Sequence, residues 1–389
     1  MQQPRCWLRL KPSCGPTPER SRLRVHDVST LSPLRVLVLG TNGQLGWQLM
    51  KDLNSADAAQ PENPGWEPHK AADKAGGAAQ QEDQQRETRK PTQGMQLVGT
   101  SRAELDVGLT DRAGIEACLA ALLARHQPDL VINAIAYTAV DRAEGEADLA
   151  FQVNGWFPGL LGALAHRLPV IHFSTDYVFD GKGDTPYRES DEATPLSVYG
   201  ASKLQGERLL LEANNKALVL RCSWVVGAHG QNFARTILRL ACERDSLRVV
   251  ADQWGVPTPT AFIVEQLRSL VCGHYPVQHP VPCGVYHLVP SGETTWHAYA
   301  CEILRRAKQH PAWAQRLRLG PEDVEPISTA QYPTPAPRPA NSRLDTTKWR
   351  AATGQSGLPD WIAAAAGTLC ALLGHRAQAG LQPAAQPLR

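Results

Sequence analysis

Arg35-Val36-Leu37-Val38-Leu39-Gly40-Thr41-Asn42-Gly43-Gln44-Leu45-Gly46 is the stretch that decides the fold. A short apolar run ends in glycine, and Gln44 to Leu53 then reads as a helix. A strand that is apolar at nearly every position is one buried on both faces, as in a parallel sheet. Glycines at the strand-to-helix turn permit close backbone approach, and the helix N-terminus offers unpaired N–H groups to a pyrophosphate. The spacing is G-x-x-G-x-x-G, so the commoner G-x-G-x-x-G fingerprint is only partly met. Gly40, Gly43 and Gly46 are therefore read as a dinucleotide turn, with a merely tight structural turn as the alternative.

The same rhythm recurs outward from this unit. Met95 to Gly99, Asp129 to Ile135, Pro169 to Phe173 and Ala217 to Arg221 read as further strands. Between them, Asp111 to His126, Asp141 to Arg167 and Val198 to Asn214 read as helices. Strands alternating with helices predict an α/β fold, a doubly wound parallel sheet of Rossmann type with a smaller C-terminal substrate-binding lobe. The expected division is a dinucleotide-binding domain over 34–223, a lobe with returning segments over 224–350, and a C-terminal helix and tail over 351–389. Residues 54–94 are rich in Ala, Gln, Glu, Lys, Pro and Gly, with Trp66 as their one aromatic. Such a segment buries too little apolar surface to offset its ordering entropy and reads as a disordered insertion or, alternatively, a docking loop.

Residues 1–33 are Arg-rich and Pro-interrupted without an apolar h-region, which argues against a secretory signal. They read as a disordered basic extension, an over-long start or a transit peptide. The 389 residues carry a net charge of +2, so composition gives no argument for nucleic acid or an anionic membrane as partner. Trp361 to Leu373 is the closest approach to an apolar span and falls short of the roughly 18 residues a bilayer requires. It reads as a buried or docking helix. Nine cysteines lie singly along the chain without a C-x-x-C pair, as expected for reduced thiols in a cytoplasmic protein.

Two further constellations carry chemistry. Tyr199-Gly200-Ala201-Ser202-Lys203 places a phenol and an ammonium on one helix face, close enough for the cation to favour the phenolate. That pair would transfer a proton near neutral pH, as carbonyl reduction requires. Ser174-Thr175-Asp176 ends a strand, where ligands of an open α/β sheet sit, and the Thr175 hydroxyl can donate to a carbonyl oxygen. A turn cap is the plain alternative. Arg102 follows the second strand and could pair with a 2′-phosphate or be a solvated loop residue.

Longer stretches make the resemblance specific: GTNGQLGWQL, PDLVINAIAYTAVDRAE, STDYVFDGKGDTPYRESDEATPLSVYGASKLQGE, RCSWVVG, DQWGVPTPT and YPTPAPRPANSRLDTTKW. On these motifs, from about Leu34 to Trp349 apart from the insertion, the chain resembles the extended short-chain dehydrogenases/reductases. Within them it is similar to the dTDP-4-dehydrorhamnose reductases. The resemblance implies reduction of the C4 ketone of dTDP-4-dehydro-6-deoxy-L-mannose by NADPH or NADH, giving dTDP-L-rhamnose in the cytoplasm. Tyr199 would be the proton donor, Lys203 would hold the nicotinamide ribose and lower the Tyr199 pKa, and Thr175 would polarise the keto oxygen. Gly43, Gln44, Leu45 and Gly46 fall on the family's pyrophosphate turn, Asp106 and Val107 on its adenine contacts. Ala136, Tyr137, Thr138 and Phe173 fall on its cofactor wall. Asp176 and Trp224 fall on its substrate contacts, joined by Val140 and Asn232.

Each has a plainer reading: Asp106 as a helix cap, Trp224 as core packing, Asn232 as a helix N-cap, Thr138 and Val140 as loop residues. Trp254, Trp296, Trp313 and Trp349 are assigned to packing or surface. Asn133-Ala134-Ile135-Ala136 departs from the usual Asn-Ala-Ala-Ala, and Asp106 and Asp111 stand further apart than in a compact Asp-x-x-Asp. Family members can dimerise through magnesium bound by glutamates, so Mg2+ and a homodimer enter as implications of the resemblance, with no residue of this chain assigned as ligand. The rival functions are a non-catalytic NADP-binding regulatory subunit, of the kind that partners a methionine adenosyltransferase, and a reductase of another nucleotide-sugar ketone.

Overall fold

The computed structural model describes residues 33–53, 95–108, 111–274 and 281–378. The expected N-terminal extension up to residue 32, the insertion 54–94 and the tail beyond 378 lie outside the described residues. Six strands form one sheet: β1 (Leu34–Leu39), β2 (Met95–Thr100), β3 (Leu130–Asn133), β4 (Val170–Thr175), β5 (Ala217–Cys222) and β6 (Gly284–His287). Their order is β6-β5-β4-β3-β1-β2, and every neighbouring pair is parallel. The winding reverses between β1 and β3, which opens a ligand crevice beyond the strands' carboxyl ends.

The helices are α1 (Gln44–Asp52), α2 (Arg112–His126), α3 (Phe157–Leu164), α4 (Val198–Ala213), α5 (Phe233–Glu243), α6 (Thr260–His274), α7 (Trp296–Gln309) and α8 (Trp361–Gln378). Side chains alternate along each strand, so a continuous apolar run feeds two cores at once. Leu37, Leu39, Val131, Val170 and Val219 pack with Ile115 and Leu119 of α2, Phe157 and Leu161 of α3 and Leu210 of α4. Val36, Val38, Ile132, Ile171, Leu218 and Leu220 pack with Phe262, Ile263 and Leu267 of α6 on the opposite face. A third core joins α5, α7 and α8 through Ile237, Tyr299, Ile303, Trp361, Ala365 and Leu369. The Trp361–Leu373 stretch thus docks one face of α8, and the Leu373 carbonyl accepts from the Trp313 indole at 2.8 Å. Among the described residues no helix is long and apolar enough to cross a membrane.

The single helix expected over Asp141 to Arg167 is corrected. Short helices Val140–Ala143 and Ala147–Ala150 are followed by a π turn, Phe151–Trp156, and only then by α3. Around Gly145 the flanking carboxylates bond elsewhere: Glu144 accepts from the Val198 N–H at 2.9 Å, and Glu146 from the Tyr137 hydroxyl at 2.6 Å. Pro158 has no N–H to return to the Asn154 carbonyl four residues earlier, so the helix widens there. The widened turn aims the buried Asn154 side chain at the Tyr137 backbone, accepting from its N–H at 2.9 Å and donating to its carbonyl at 3.0 Å. Strand β3 stops at Asn133, short of the expected Ile135, because the Asn133 side chain accepts from the Ile135 N–H at 3.1 Å.

α4 lies hard against this turn. A Cβ on Gly206 would land on the Asn154 carbonyl oxygen, and one on Gly200 on the Tyr177 carbonyl oxygen. Gly206→Ala is therefore expected to push α4 off the π turn and destabilise the fold by about 1–3 kcal/mol. Urea unfolding measures this; an unchanged midpoint would show that the backbone there yields freely.

Candidate active site

The turn between β1 and α1 is built from backbone. Gly40 has φ +85, and a Cβ on it would lie 2.9 Å from the Ile135 nitrogen. A Cβ on Gly46 would collide with the Gly40 carbonyl, so the helix begins directly against the turn. Gly43 is the N-cap and supplies no capping side chain, and the first turn carries no acidic residue. An arrangement of this kind suits an anion. The Gln44 side chain is engaged elsewhere. Its Oε1 accepts from the Gly227 N–H at 2.9 Å and from Asn232 Nδ2 at 3.1 Å, tying residues 227–232 to α1. Leu45 is half-buried against the sheet.

Past β2, Arg102 Nε donates to Asp106 Oδ2 at 3.0 Å, and Asp106 Oδ1 accepts from the Gly108 N–H at 3.0 Å. Asp111, and not Asp106, caps α2, accepting from the Gly114 N–H at 2.7 Å. The Val107 side chain is buried in the sheet core, and its carbonyl accepts from Gln152 Nε2 at 2.7 Å. After β3, Ala136 and Thr138 are exposed while Tyr137 and Val140 are half-buried, as is Phe173 on β4. Burial, together with the neighbouring Glu146 carboxylate, pushes the Tyr137 phenol up to about 12.

Thr175, Asp176, Tyr199 and Lys203 do come together. β4 extends two residues beyond the expected Phe173, so Ser174 and Thr175 belong to the sheet, opposite Arg221 and Cys222 of β5. The Thr175 hydroxyl donates to Asp176 Oδ1 at 3.1 Å, accepts from the Tyr177 N–H at 3.2 Å and favours the ionised form of the nearby Tyr199 phenol. Ser197 caps α4 by accepting from the Gly200 N–H at 3.2 Å, which fixes the first turn that carries Tyr199. The Tyr177 and Tyr199 rings meet edge to face, centroids 5.7 Å apart.

The expected lowering of the Tyr199 pKa by Lys203 has no counterpart among the groups that act on the phenol here. Burial, offset by the Thr175 hydroxyl and reinforced by Asp176 and Cys222, pushes the phenol upward. The Lys203 ammonium donates instead to the Phe173 carbonyl at 2.6 Å and stands 3.4 Å from His172 Nε2. A four-residue spacing gives the two side chains a common helix face, but the lysine stem is long enough to reach the sheet beneath it.

Trp224 has φ +44, a strained conformation for a bulky residue and one that tends to mark functional positions. Its ring stacks on Trp296 with centroids 3.7 Å apart and passes so close over Gly255 that a Cβ there would meet it. Asn232 is committed to structure: it caps α5, accepting from the Arg235 N–H at 3.0 Å, while Nδ2 donates to Gln44 and to the Gly227 carbonyl at 2.8 Å. Trp313 and Trp349 are fully buried, and Trp254 is exposed.

Sequence reasoning missed several supporting groups. Asn154 holds the Tyr137 loop, Ser342 reaches Asp176, and Arg338 lies over the Tyr177 ring while donating to Asp141 at 2.8 Å. Asn133 and His172, fully buried on adjacent strands, were legible as polar residues inside apolar runs. Among the described residues no three His, Cys, Asp or Glu side chains gather to hold a metal, so the magnesium implied by the resemblance finds no ligand set within them.

Asp176 is buried, and its Oδ2 has no hydrogen-bond partner among the described residues. Burial raises its carboxyl to about 6, against the lowering effect of hydrogen bonds from Ser342 and Thr175. The folded chain therefore binds this proton more tightly than the unfolded chain. The resulting stability is full below about pH 4 and is lost as pH rises through about 6. Asp176→Asn is expected to stabilise the fold by about 3 kcal/mol at pH 8 and by much less at pH 4. Urea unfolding at the two pH values tests the sign.

A backbone turn suited to a pyrophosphate, placed beside a Thr-Tyr-Lys set at the carboxyl edge of a parallel sheet, defines a short-chain dehydrogenase/reductase. The RmlD substrate-binding-domain family matches residues 76–372. The chain belongs to the dTDP-4-dehydrorhamnose reductase family. The dTDP-4-dehydrorhamnose reductase of Burkholderia thailandensis is 35% identical over 338 residues, covering 84% of this chain and 95% of the relative. That of Escherichia coli K12 is 41% identical over 237 residues, covering 60% and 77%. Among solved structures, the dTDP-4-dehydrorhamnose reductase of Bacillus anthracis, crystallised with NADP, superposes with TM-score 0.68 at 26% identity, covering 87% of this chain and 99% of that one.

Proposed function

We propose that the chain reduces the C4 ketone of dTDP-4-dehydro-6-deoxy-L-mannose to give dTDP-L-rhamnose, working in the cytoplasm with NADPH. The observation that carries this reading is the gathering of Thr175 and Tyr199 at the carboxyl end of β4, beside a buried Asp176 that accepts from Thr175 and whose Oδ2 has no partner among the described residues. The backbone from Gly40 to Gly46 fits a dinucleotide pyrophosphate, with Ala136, Tyr137, Thr138 and Phe173 as the wall behind the nicotinamide. Asp106 and Val107 stand by the adenine end; the buried Val107 side chain leaves its backbone for that contact. No acidic residue follows β2 directly, and Arg102 is the cation nearest that strand end in sequence, which favours a 2′-phosphate and hence NADPH.

When bound in that cleft, a reduced nicotinamide would supply the hydride for the ketone carbon. Thr175 orients the ketone oxygen by turning its single hydroxyl proton to it from Asp176 Oδ1, and Tyr199 gives that oxygen its phenolic proton as negative charge develops. Lys203 would hold the nicotinamide ribose with an N–H left over from its bond to the Phe173 carbonyl. Asp176 receives a sugar hydroxyl on Oδ2, and the Trp224 ring, backed by Trp296, bounds the substrate. Asn232 acts through the loop it caps.

The test is loss of the near-ultraviolet absorbance of NADPH on adding enzymatically generated dTDP-4-dehydro-L-rhamnose to the purified chain. Turnover is the expected result. Binding of NADPH without turnover would refute the proposal and leave the regulatory subunit or another sugar ketone.

A further inference from the structure

Beneath the proposed proton donor runs a chain of three buried polar side chains, of which the mechanism above uses only Lys203. Asn133 ends β3, His172 lies opposite it in register on β4, and Lys203 reaches down from α4. Asn133 Nδ2 lies 3.1 Å from His172 Nδ1, and His172 Nε2 lies 3.4 Å from Lys203 Nζ. His172 is wholly buried, and Lys203 is 2% exposed.

The proton positions follow from donor and acceptor counting. The Asn133 amide cannot be turned around, because its oxygen is taken by the Ile135 N–H at 3.1 Å. Its NH2 group therefore faces His172, and Nδ1 must accept. Burial disfavours the doubly protonated ring, in which two donors would also meet at Nδ1. The single imidazole proton is left on Nε2, directed at Lys203. An ammonium has only donors to offer, so an N–H meets an N–H; a neutral amine would accept that bond while still donating to the Phe173 carbonyl at 2.6 Å.

We propose that His172, locked by Asn133 as its Nε2–H tautomer, is a positioning residue that turns a donor toward Lys203 and so loosens that side chain's hold on its proton. The proposal rests on the assignment of Lys203 to the active site. The other titratable or charged groups around Lys203 are Glu207 on its own helix, which is held by Arg221 of β5 and favours the cation, and Cys222 at the end of β5. Tyr199 and Asp176 lie within electrostatic range of the same Cys222. Burial outweighs Glu207 and brings Lys203 down to about 8, where a donor facing it has leverage on the fraction charged at working pH.

The first arm of the test reads the wild-type protein directly. Long-range nitrogen–proton correlations of histidine-labelled protein, with His172 assigned by its loss in His172→Gln, are expected to show a neutral Nε2–H ring that does not titrate between about pH 5 and 9. An Nδ1–H ring, or an imidazolium in that range, would overturn the proposal without requiring any variant to be active. The second arm is the pH profile of kcat. In His172→Gln an amide oxygen can accept from the ammonium, so the basic limb is expected to move up by about one pH unit, tenfold in proton affinity. A limb that stays in place overturns the proposal. Tyr199→Phe in the same assay separates the two readings: wild-type turnover in that variant would sink the proposed mechanism, whereas an unmoved limb with Tyr199 still essential sinks only the role of His172.

Discussion

Tyr199→Phe is expected to lower kcat by at least about 10², with NADPH affinity unchanged. Burial pushes the phenol up, so at neutral pH Tyr199 holds its proton and is poised to give it, as reduction of a ketone demands. Phenylalanine keeps the edge-to-face contact with Tyr177 and the Ser197-capped first turn of α4, so the fold should be unaffected. Lys203 bonds to the Phe173 carbonyl and not to the phenol, so its placement should also survive. Stopped-flow or steady-state NADPH oxidation gives kcat, and fluorescence titration gives cofactor binding. Turnover close to wild type would remove Tyr199 from the role of proton donor, whereas equal losses in turnover and cofactor affinity would point to a collapsed site.

The largest effect on stability is expected from Glu207→Ala, a loss of about 3–5 kcal/mol. Glu207 Oε1 accepts from Arg221 Nε at 2.9 Å and Oε2 from Nη2 at 2.6 Å, with the two side chains 2% and 5% exposed. Removing the carboxylate leaves a guanidinium charge buried over the Phe179 ring without its counter-ion. It also takes away the anion that helps Lys203 keep its proton, so the activity of any folded fraction should fall at lower pH than in wild type. Replacing both partners, Glu207→Leu with Arg221→Met, should recover most of the loss, because a buried pair roughly offsets its own desolvation. Urea unfolding of the single and double variants decides the matter; a Glu207→Ala protein within about 1 kcal/mol of wild type would mean that water reaches the guanidinium.

Much of the site could be read from the sequence because its parts are local. The Gly40–Gly46 turn, the polar end of β4 and the Tyr199 turn each fall where an apolar run meets a loop. The broken helix after β3 could not be read this way. Its apolar content suits a helix throughout, and the break arises from Pro158, Gly145 and carboxylates drawn to Val198 and Tyr137 from across the fold. Asn232 shows the same limit: a polar residue ahead of an apolar run serves equally as a cap or a substrate contact, and only its three observed partners assign it to the cap.

The parallel sheet was fixed by strand-length runs of Val, Ile and Leu, since period-two alternation feeds both cores whichever partner strand lies alongside. The backbone turn for an anion was fixed likewise, because glycine alone tolerates φ +85 at Gly40 and the close approach at Gly46. Where charge and protons reside was decided by tertiary structure alone. Spacing on α4 gave Lys203 a choice between the phenol above it and the sheet below; the Phe173 carbonyl, brought there by strand register, took its N–H and set the side chain beside the His172 ring. Proton affinities depend on burial and on what stands within a few ångströms, and neither exists until the chain has folded.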